Sequence, residues 1–410
     1  MKILSGNPYL KINKKKIMVD LIPFDEILKL SKTPILIFLE NKIRDNIISF
    51  KNIFGEIFEN FEAFYSFKAN FLPEICKIIC SERIGAEIIG LPELQLALRL
   101  GFPVDKILIG GPYLPNELIE ESVKNRVREI IVYSLNDLDK IDSIAKKRDN
   151  VQNICLRINS QKYESKLGIN LDDKTILHLS KKIEKLQNIN IVSILSHYAT
   201  QMNNMELFIK NTSVLGSAFK KLTDIGIKIK NINLGGGFPE ATIMPEKQLI
   251  KVANGLKTTI ENFNIDYEKI YFEPGRYFIG DSGLFITETI SVVKDRWIFL
   301  NIGNHICPKF ARCSLRFYNA SQIDEPHKFK TSIAGILPTD QDVLVKDYFF
   351  TEHLHVGDKV IVTNVGAYIL TFSNRFPYSL PTIFLVKNSD IKKIFNASID
   401  HDISLYYMKS

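Results

Sequence analysis

Apolar and polar positions alternate with two different periods along this chain, and the period changes near residue 280. Short runs rich in β-branched and aromatic residues recur at Phe61–Phe67, Gly85–Ile89, Lys106–Ile109, Glu129–Tyr133, Asn153–Ile158, Ile191–His197, Asn231–Leu234 and Lys269–Glu273. Between them lie stretches of helical period such as Pro92–Leu100, Asn116–Lys124 and Asn136–Lys147. Continuously apolar strands separated by amphipathic helices predict a parallel sheet buried on both faces. Eight such units predict a closed (β/α)8 barrel, a fold of about 250 residues; an open doubly wound sheet is the alternative. Beyond residue 280 the runs Phe285–Val293, Arg296–Leu300, Val343–Val345, Lys359–Thr363 and Thr382–Val386 follow one another with no long amphipathic helix between them. They predict an antiparallel β domain, joined by an N-terminal strand around Ile17–Leu21. The expected division is residues 1–34 as a segment contributing to the β domain, 35–280 as the barrel and 281–410 as the C-terminal β domain.

Composition agrees with a globular protein: 45% hydrophobic and 24% charged residues. The formal charge of +7 is spread along the chain, without the aromatic-interleaved basic patch of a nucleic-acid binder. Five cysteines form no paired metal-ligand pattern, so no metal site and no disulfide framework is expected. No apolar run approaches the roughly 20 residues of a membrane span, and a cytoplasmic location is the expectation.

A barrel places its chemistry at the C-terminal ends of its strands. There the sequence offers Lys68, Arg157, His197, the turn Gly235-Gly236-Gly237 and the segment Glu273-Pro274-Gly275-Arg276. Each has a plainer reading: a solvated strand cap for Lys68, a core histidine for His197, a tight turn for the glycines and a structural ion pair for Glu273 with Arg276. Together they form a set suited to a phosphorylated, charged cofactor. A buried Lys68 would have a lowered pKa and serve as a Schiff-base amine, and three glycines can cradle a phosphate with backbone N–H groups.

The ordered set Tyr-Ser-Phe-Lys68-Ala-Asn, Ser165-Lys166-Leu167-Gly168, His197, Gly235-Gly236-Gly237-Phe238, Glu273-Pro274-Gly275-Arg276 and Gly366-Ala367-Tyr368 resembles the ornithine/diaminopimelate/arginine decarboxylases. Those are pyridoxal-phosphate enzymes with an alanine-racemase-type barrel and a β domain. The resemblance implies that Lys68 carries the cofactor, His197 stacks on its ring and Glu273 pairs with its ring nitrogen. It implies that Arg157 lies on the cofactor side, and that Thr200, Gly235, Gly236, Gly237, Gly275, Arg276 and Tyr368 serve the phosphate. It also implies a homodimer with shared active sites. Where the family carries a proton-donating cysteine, the stretch Gly335 to Asp342 has Pro338, with Asp342 retained.

The stretch Asn301 to Arg316 departs from ordinary diaminopimelate decarboxylases and offers His305, Lys309, Arg312 and Arg316. Its plain reading is a solvated basic edge. Its sharper reading is a subsite, with Asp342, for extra substrate carboxylates. Members of the family acting on modified amino acids look similar here. They imply a polycarboxylate substrate such as N-citrylornithine, in siderophore biosynthesis, with free diaminopimelate or ornithine as the alternative. A racemase or a non-catalytic relative completes the options; Glu273 opposes the racemase, and the intact Lys68, His197 and Glu273 oppose a non-catalytic relative.

Overall fold

The computed structural model describes residues 2–13, 15–162, 165–374 and 376–396. The polar tail that begins at Ser389 is therefore described only as far as Asn396. Two compact units divide the chain. One comprises Ile47–Pro239 and Ile243–Gly275, the other Met1–Asn46, Glu240–Thr242 and Arg276–Ser410.

The first unit is a closed barrel of eight parallel strands in chain order: Phe61–Ser66, Gly85–Ile88, Ile107–Gly110, Glu129–Val132, Gln152–Arg157, Ile189–Leu195, Asn231–Asn233 and Lys269–Phe272. The last strand pairs with the first, Ile270 opposite Phe61. The doubly wound alternative is thereby set aside, and the strands match the apolar runs to within two residues at each end. Phe64, Leu108, Ile131, Cys155, Leu195 and Tyr271 fill the interior. Outside the barrel, Phe50 and Phe54 of the helix Glu40–Ile57 pack against Phe238 and Phe272, with ring centroids 4.4–6.0 Å apart. Each fully buried ring contributes on the order of 1.5–3 kcal/mol, and Phe238 anchors the glycine turn that precedes it. At the N-terminal end of the strands Glu62 meets Lys106, Arg128 and Lys269 at 2.7–3.0 Å. Burial opposes its ionisation, but these cations prevail and hold it at about 2. This network closes the end of the barrel opposite the site.

The second unit holds a nine-stranded, mostly antiparallel sheet and a four-stranded meander beginning at Lys2–Leu4. Its axis is the long strand Gly283–Val293, which pairs with Ile35–Leu39, Trp297–Leu300 and Lys359–Thr363. Two pairings are parallel, Trp297–Leu300 with Phe329–Ala334 and Thr382–Lys387 with Ile35–Leu39. All five side chains of Ile35–Leu39 are buried. Among the described residues no helix is long and apolar enough to cross a membrane.

Candidate active site

Lys68 lies in a single turn, Phe67–Ala69, directly after the first barrel strand. Its side chain remains 38% exposed, so the expectation of a buried lysine is corrected: the strand ends at the mouth and leaves the amine within reach of a ligand. Nζ stands 3.4 Å from Glu87 Oε2, and the hydroxyl of Ser66 donates to the same oxygen at 2.5 Å. Ser66 and Glu87 are register partners on the first two strands, which is why a carboxylate meets the lysine here. Neither Glu87 nor Ser66 was singled out from sequence. The available signal was a polar residue inside an otherwise apolar strand.

His197 follows the sixth strand by two residues. Its Nδ1 accepts the backbone N–H of Gly236 at 3.3 Å, so any proton on the neutral ring sits on Nε2. Burial first, and then the charges of Arg157 and Lys68, hold its pKa down to about 3. The ring is an uncharged plate.

Glu273 follows the eighth strand and is 8% exposed. Asn233 Nδ2 donates to its Oε1 at 2.8 Å. Burial, followed by the negative charge of Glu87, pushes its carboxyl up to about 7, against the opposing pull of Lys68, Asn233 and Arg157. A cationic ring nitrogen placed against such a group would drive it to ionise.

The glycine turn is tightly fitted. Gly237 has φ +90°, and a Cβ there would fall 2.3 Å from the carbonyl of Ala199. A Cβ on Gly236 would fall 2.3 Å from the carbonyl of Glu273. The turn is stitched to its neighbours by Glu273 N–H to the Gly235 carbonyl and Met202 N–H to the Gly237 carbonyl, each 2.8 Å. It does not run straight into a helix: the next helix opens at Glu246. Close backbone approach, rather than a helix N-terminus, is the reason for the glycines. Thr200 is exposed in the loop after His197, and Gly275 is buried.

Arg157 ends the fifth strand, 8% exposed. Its Nη1 donates to Tyr133 Oη at 2.6 Å. The motif Ser165 to Gly168 folds back on this strand end, Ile169 N–H donating to the Arg157 carbonyl at 2.8 Å. Gly168, at φ +94°, is required because a Cβ would fall 2.9 Å from that same carbonyl.

In the β unit, Arg276 is 5% exposed. It donates to Glu240 Oε1 at 3.2 Å and to the carbonyl of Ala311 at 2.5 Å, and it lies 4.9 Å from the ring centre of Tyr368. Tyr368 itself has φ 65°. The residues proposed for extra carboxylates have different surroundings. His305 is buried and lines a cavity of about 800 Å³ with Tyr378. Arg316 is exposed on the strand Arg316–Asn319, and Arg312 caps the turn Lys309–Ala311 in the left-handed region. The buried carboxylate of Asp342 is spent on backbone, accepting the N–H groups of Asn304 and Leu337 at 2.7 Å each.

The barrel mouth fits pyridoxal phosphate: it offers an amine held by a carboxylate, a neutral ring, a second carboxylate with a raised pKa, a turn no side chain could replace, and an arginine whose buried Nε has no partner. Among the described residues no cluster could hold a metal ion.

Comparison with known proteins agrees. Residues 40–280 match the model of the family described as pyridoxal-dependent decarboxylase, pyridoxal binding domain. A diaminopimelate decarboxylase of Aquifex aeolicus is 25% identical over 95% of this chain and 94% of its own. One from Methanocaldococcus jannaschii is 23% identical over 92% and 91%. In structure, the diaminopimelate decarboxylase from M. jannaschii in co-complex with L-lysine superposes with a TM-score of 0.85, covering 95% of each chain at 21% identity.

Proposed function

We propose that this chain, which belongs to the pyridoxal-dependent decarboxylases of the ornithine/diaminopimelate/arginine type, acts on a free diamino acid of the diaminopimelate kind. It is a pyridoxal-phosphate-dependent carboxy-lyase. The observation that carries the substrate reading is the run of diaminopimelate decarboxylases among its relatives, aligned over nearly the whole chain. Asp342 is occupied with backbone N–H groups, which weakens the case for a subsite reading a citrylated substrate, and the relatives favour the free amino acid over a siderophore role.

Pyridoxal phosphate supplies the electron sink into which the bond to the departing carboxylate can break. On this reading Lys68 Nζ would hold the cofactor, and Glu87 Oε2, 3.4 Å away, would orient that side chain. His197, kept neutral, supports the ring face without competing for charge. Glu273 would pair with the ring nitrogen. Gly235 to Gly237, Thr200 and Gly275 are the barrel residues assigned to the phosphate. Pro338 has no proton to return to the substrate carbon, so Lys68 Nζ is the group assigned to supply it. Glu273 favours decarboxylation over racemisation, because a carboxylate beside the ring nitrogen keeps it protonated and electron-accepting.

Steady-state assays of CO2 release with diaminopimelate, ornithine, lysine and N-citrylornithine test the substrate. Diaminopimelate should give the highest kcat/KM, at least about tenfold above the citrylated compound, a margin of roughly 1.4 kcal/mol in transition-state binding. A preference for N-citrylornithine would overturn the reading.

A further inference from the structure

Arg157 differs from half-buried Arg128 and buried Arg276 in the company it keeps. Arg128 is paired with Glu62 at 3.0 Å, and Arg276 with Glu240 at 3.2 Å. Among the described residues no carboxylate is hydrogen-bonded or ion-paired to Arg157. Its guanidinium is instead held by a neutral phenol. Tyr133 Oη accepts from Nη1 at 2.6 Å, Arg157 Cζ lies 4.6 Å from the Tyr133 ring centre, and Nε is buried with no partner.

The arrangement is built into the barrel. Val132 and Leu156 are register partners on the fourth and fifth strands, so Tyr133 and Arg157 emerge side by side at the mouth. The Gly168 loop pins the Arg157 backbone from the other side. Burial, reinforced by Glu87 and Glu273, keeps the phenol protonated although Arg157 and Lys68 pull the other way. The charged and titratable groups that act on this pair are thus Lys68, Glu87, His197 and Glu273. A desolvated cation without an anion at contact distance is costly, and a protein ordinarily supplies a carboxylate for it.

We propose that Tyr133 is a positioning residue that orients Arg157 without neutralising it, leaving the guanidinium charge for an oxyanion of the ligand bound in the barrel mouth. The inference rests on the reading of that mouth as the cofactor and substrate site. The oxyanion has two sources, the ring oxygen of pyridoxal phosphate or a carboxylate of the amino-acid substrate. A glutamate at 133 would satisfy Arg157 equally well as a hydrogen-bond acceptor but would consume its charge. A phenylalanine would keep the ring and lose the acceptor.

Three variants of the full-length enzyme separate these effects: Tyr133→Phe, Tyr133→Gln and Tyr133→Glu. Each is titrated with pyridoxal phosphate, following the visible absorption of the bound cofactor, and assayed for kcat and KM with diaminopimelate. Tyr133→Gln retains a neutral acceptor and should stay within threefold of wild type. Tyr133→Glu, of nearly the same shape, should weaken binding by roughly tenfold or more, the scale of one charge-assisted hydrogen bond; Tyr133→Phe should fall between them. A rise in the cofactor Kd identifies the ring oxygen; a rise in KM with kcat within twofold identifies the substrate carboxylate. Equal behaviour of the Gln and Glu variants overturns the proposal, whatever happens to Tyr133→Phe. Wild-type protein that takes up no pyridoxal phosphate would overturn the cofactor reading as well. Uptake by wild type with all three variants matching it would overturn this proposal alone.

Discussion

At the scale of single residues, the site works through mismatched ionisation. His197 is held at about 3, against 6.5 for a free imidazole, and Glu273 at about 7, against 4.5 for a free carboxyl. The two have opposite consequences for stability. The unfolded chain protonates His197 near 6.5 while the folded one resists until about 3. Its contribution is therefore complete above pH 6.5 and is lost as pH falls through that window. Glu273 holds its proton more tightly when folded, so its contribution is complete below 4.5 and is lost as pH rises through about 7. Melting temperatures of the apoprotein should show both signs. Relative to wild type, His197→Gln should gain stability as the pH drops from 6.5 toward 3, and Glu273→Gln should gain as it climbs from 4.5 to 7. Parallel curves for variant and wild type would refute the assignments. The lysine, the histidine and the glutamate stood out in the sequence only as an ordered set, since each alone has a plainer reading. Glu87 and Tyr133 were not, since a polar residue near a strand end has no distinguishing mark until its register partner is known.

Among elements, the glycine turn shows how a loop acquires its shape. Asn233 Oδ1 accepts the N–H of Gly235, the Gly237 carbonyl accepts that of Met202, and Phe238 is fixed among Phe50, Phe54 and Phe208. The turn is thus rigid before any ligand arrives. Gly237→Ala puts a Cβ against the Ala199 carbonyl in a left-handed conformation, a strain on the order of 1–3 kcal/mol. It should lower the cofactor affinity by roughly tenfold or more while leaving far-ultraviolet circular dichroism unchanged. Wild-type affinity in this variant would show that the turn can move aside freely. The three glycines announced a special backbone in the sequence. Their reason lay elsewhere, because the neighbours that forbid a side chain, Ala199 and Glu273, come from the ends of other strands.

For the whole molecule, the family resemblance leads to the expectation of two copies with shared sites, and an exposed aromatic pair on the β unit offers a place to test it. Phe310 is 72% exposed and packs edge-on against Phe372 at 4.7 Å, an apolar pair that water would not favour. Light scattering should give the mass of two chains, and Phe310→Glu should shift it toward one with loss of activity; a dimer unaffected by the substitution would place the interface elsewhere. Sequence by itself determined the order and number of the barrel strands, because each strand buries both faces and each helix one, and those periods are local properties of the chain. It also carried the residue types for the chemistry. Only the tertiary structure decided that Ile35–Leu39 lies in the β sheet beside Gly283–Val293, since a fully apolar run satisfies any buried sheet equally. Only it showed Asp342 bracing backbone, Arg316 facing solvent, Glu87 reaching Lys68 and Tyr133 holding Arg157. Glu87 with Lys68, Tyr133 with Arg157 and Asn304 with Asp342 are pairings between residues 19 to 38 positions apart, set by strand register and loop closure, and no periodicity along one segment encodes its partner in another.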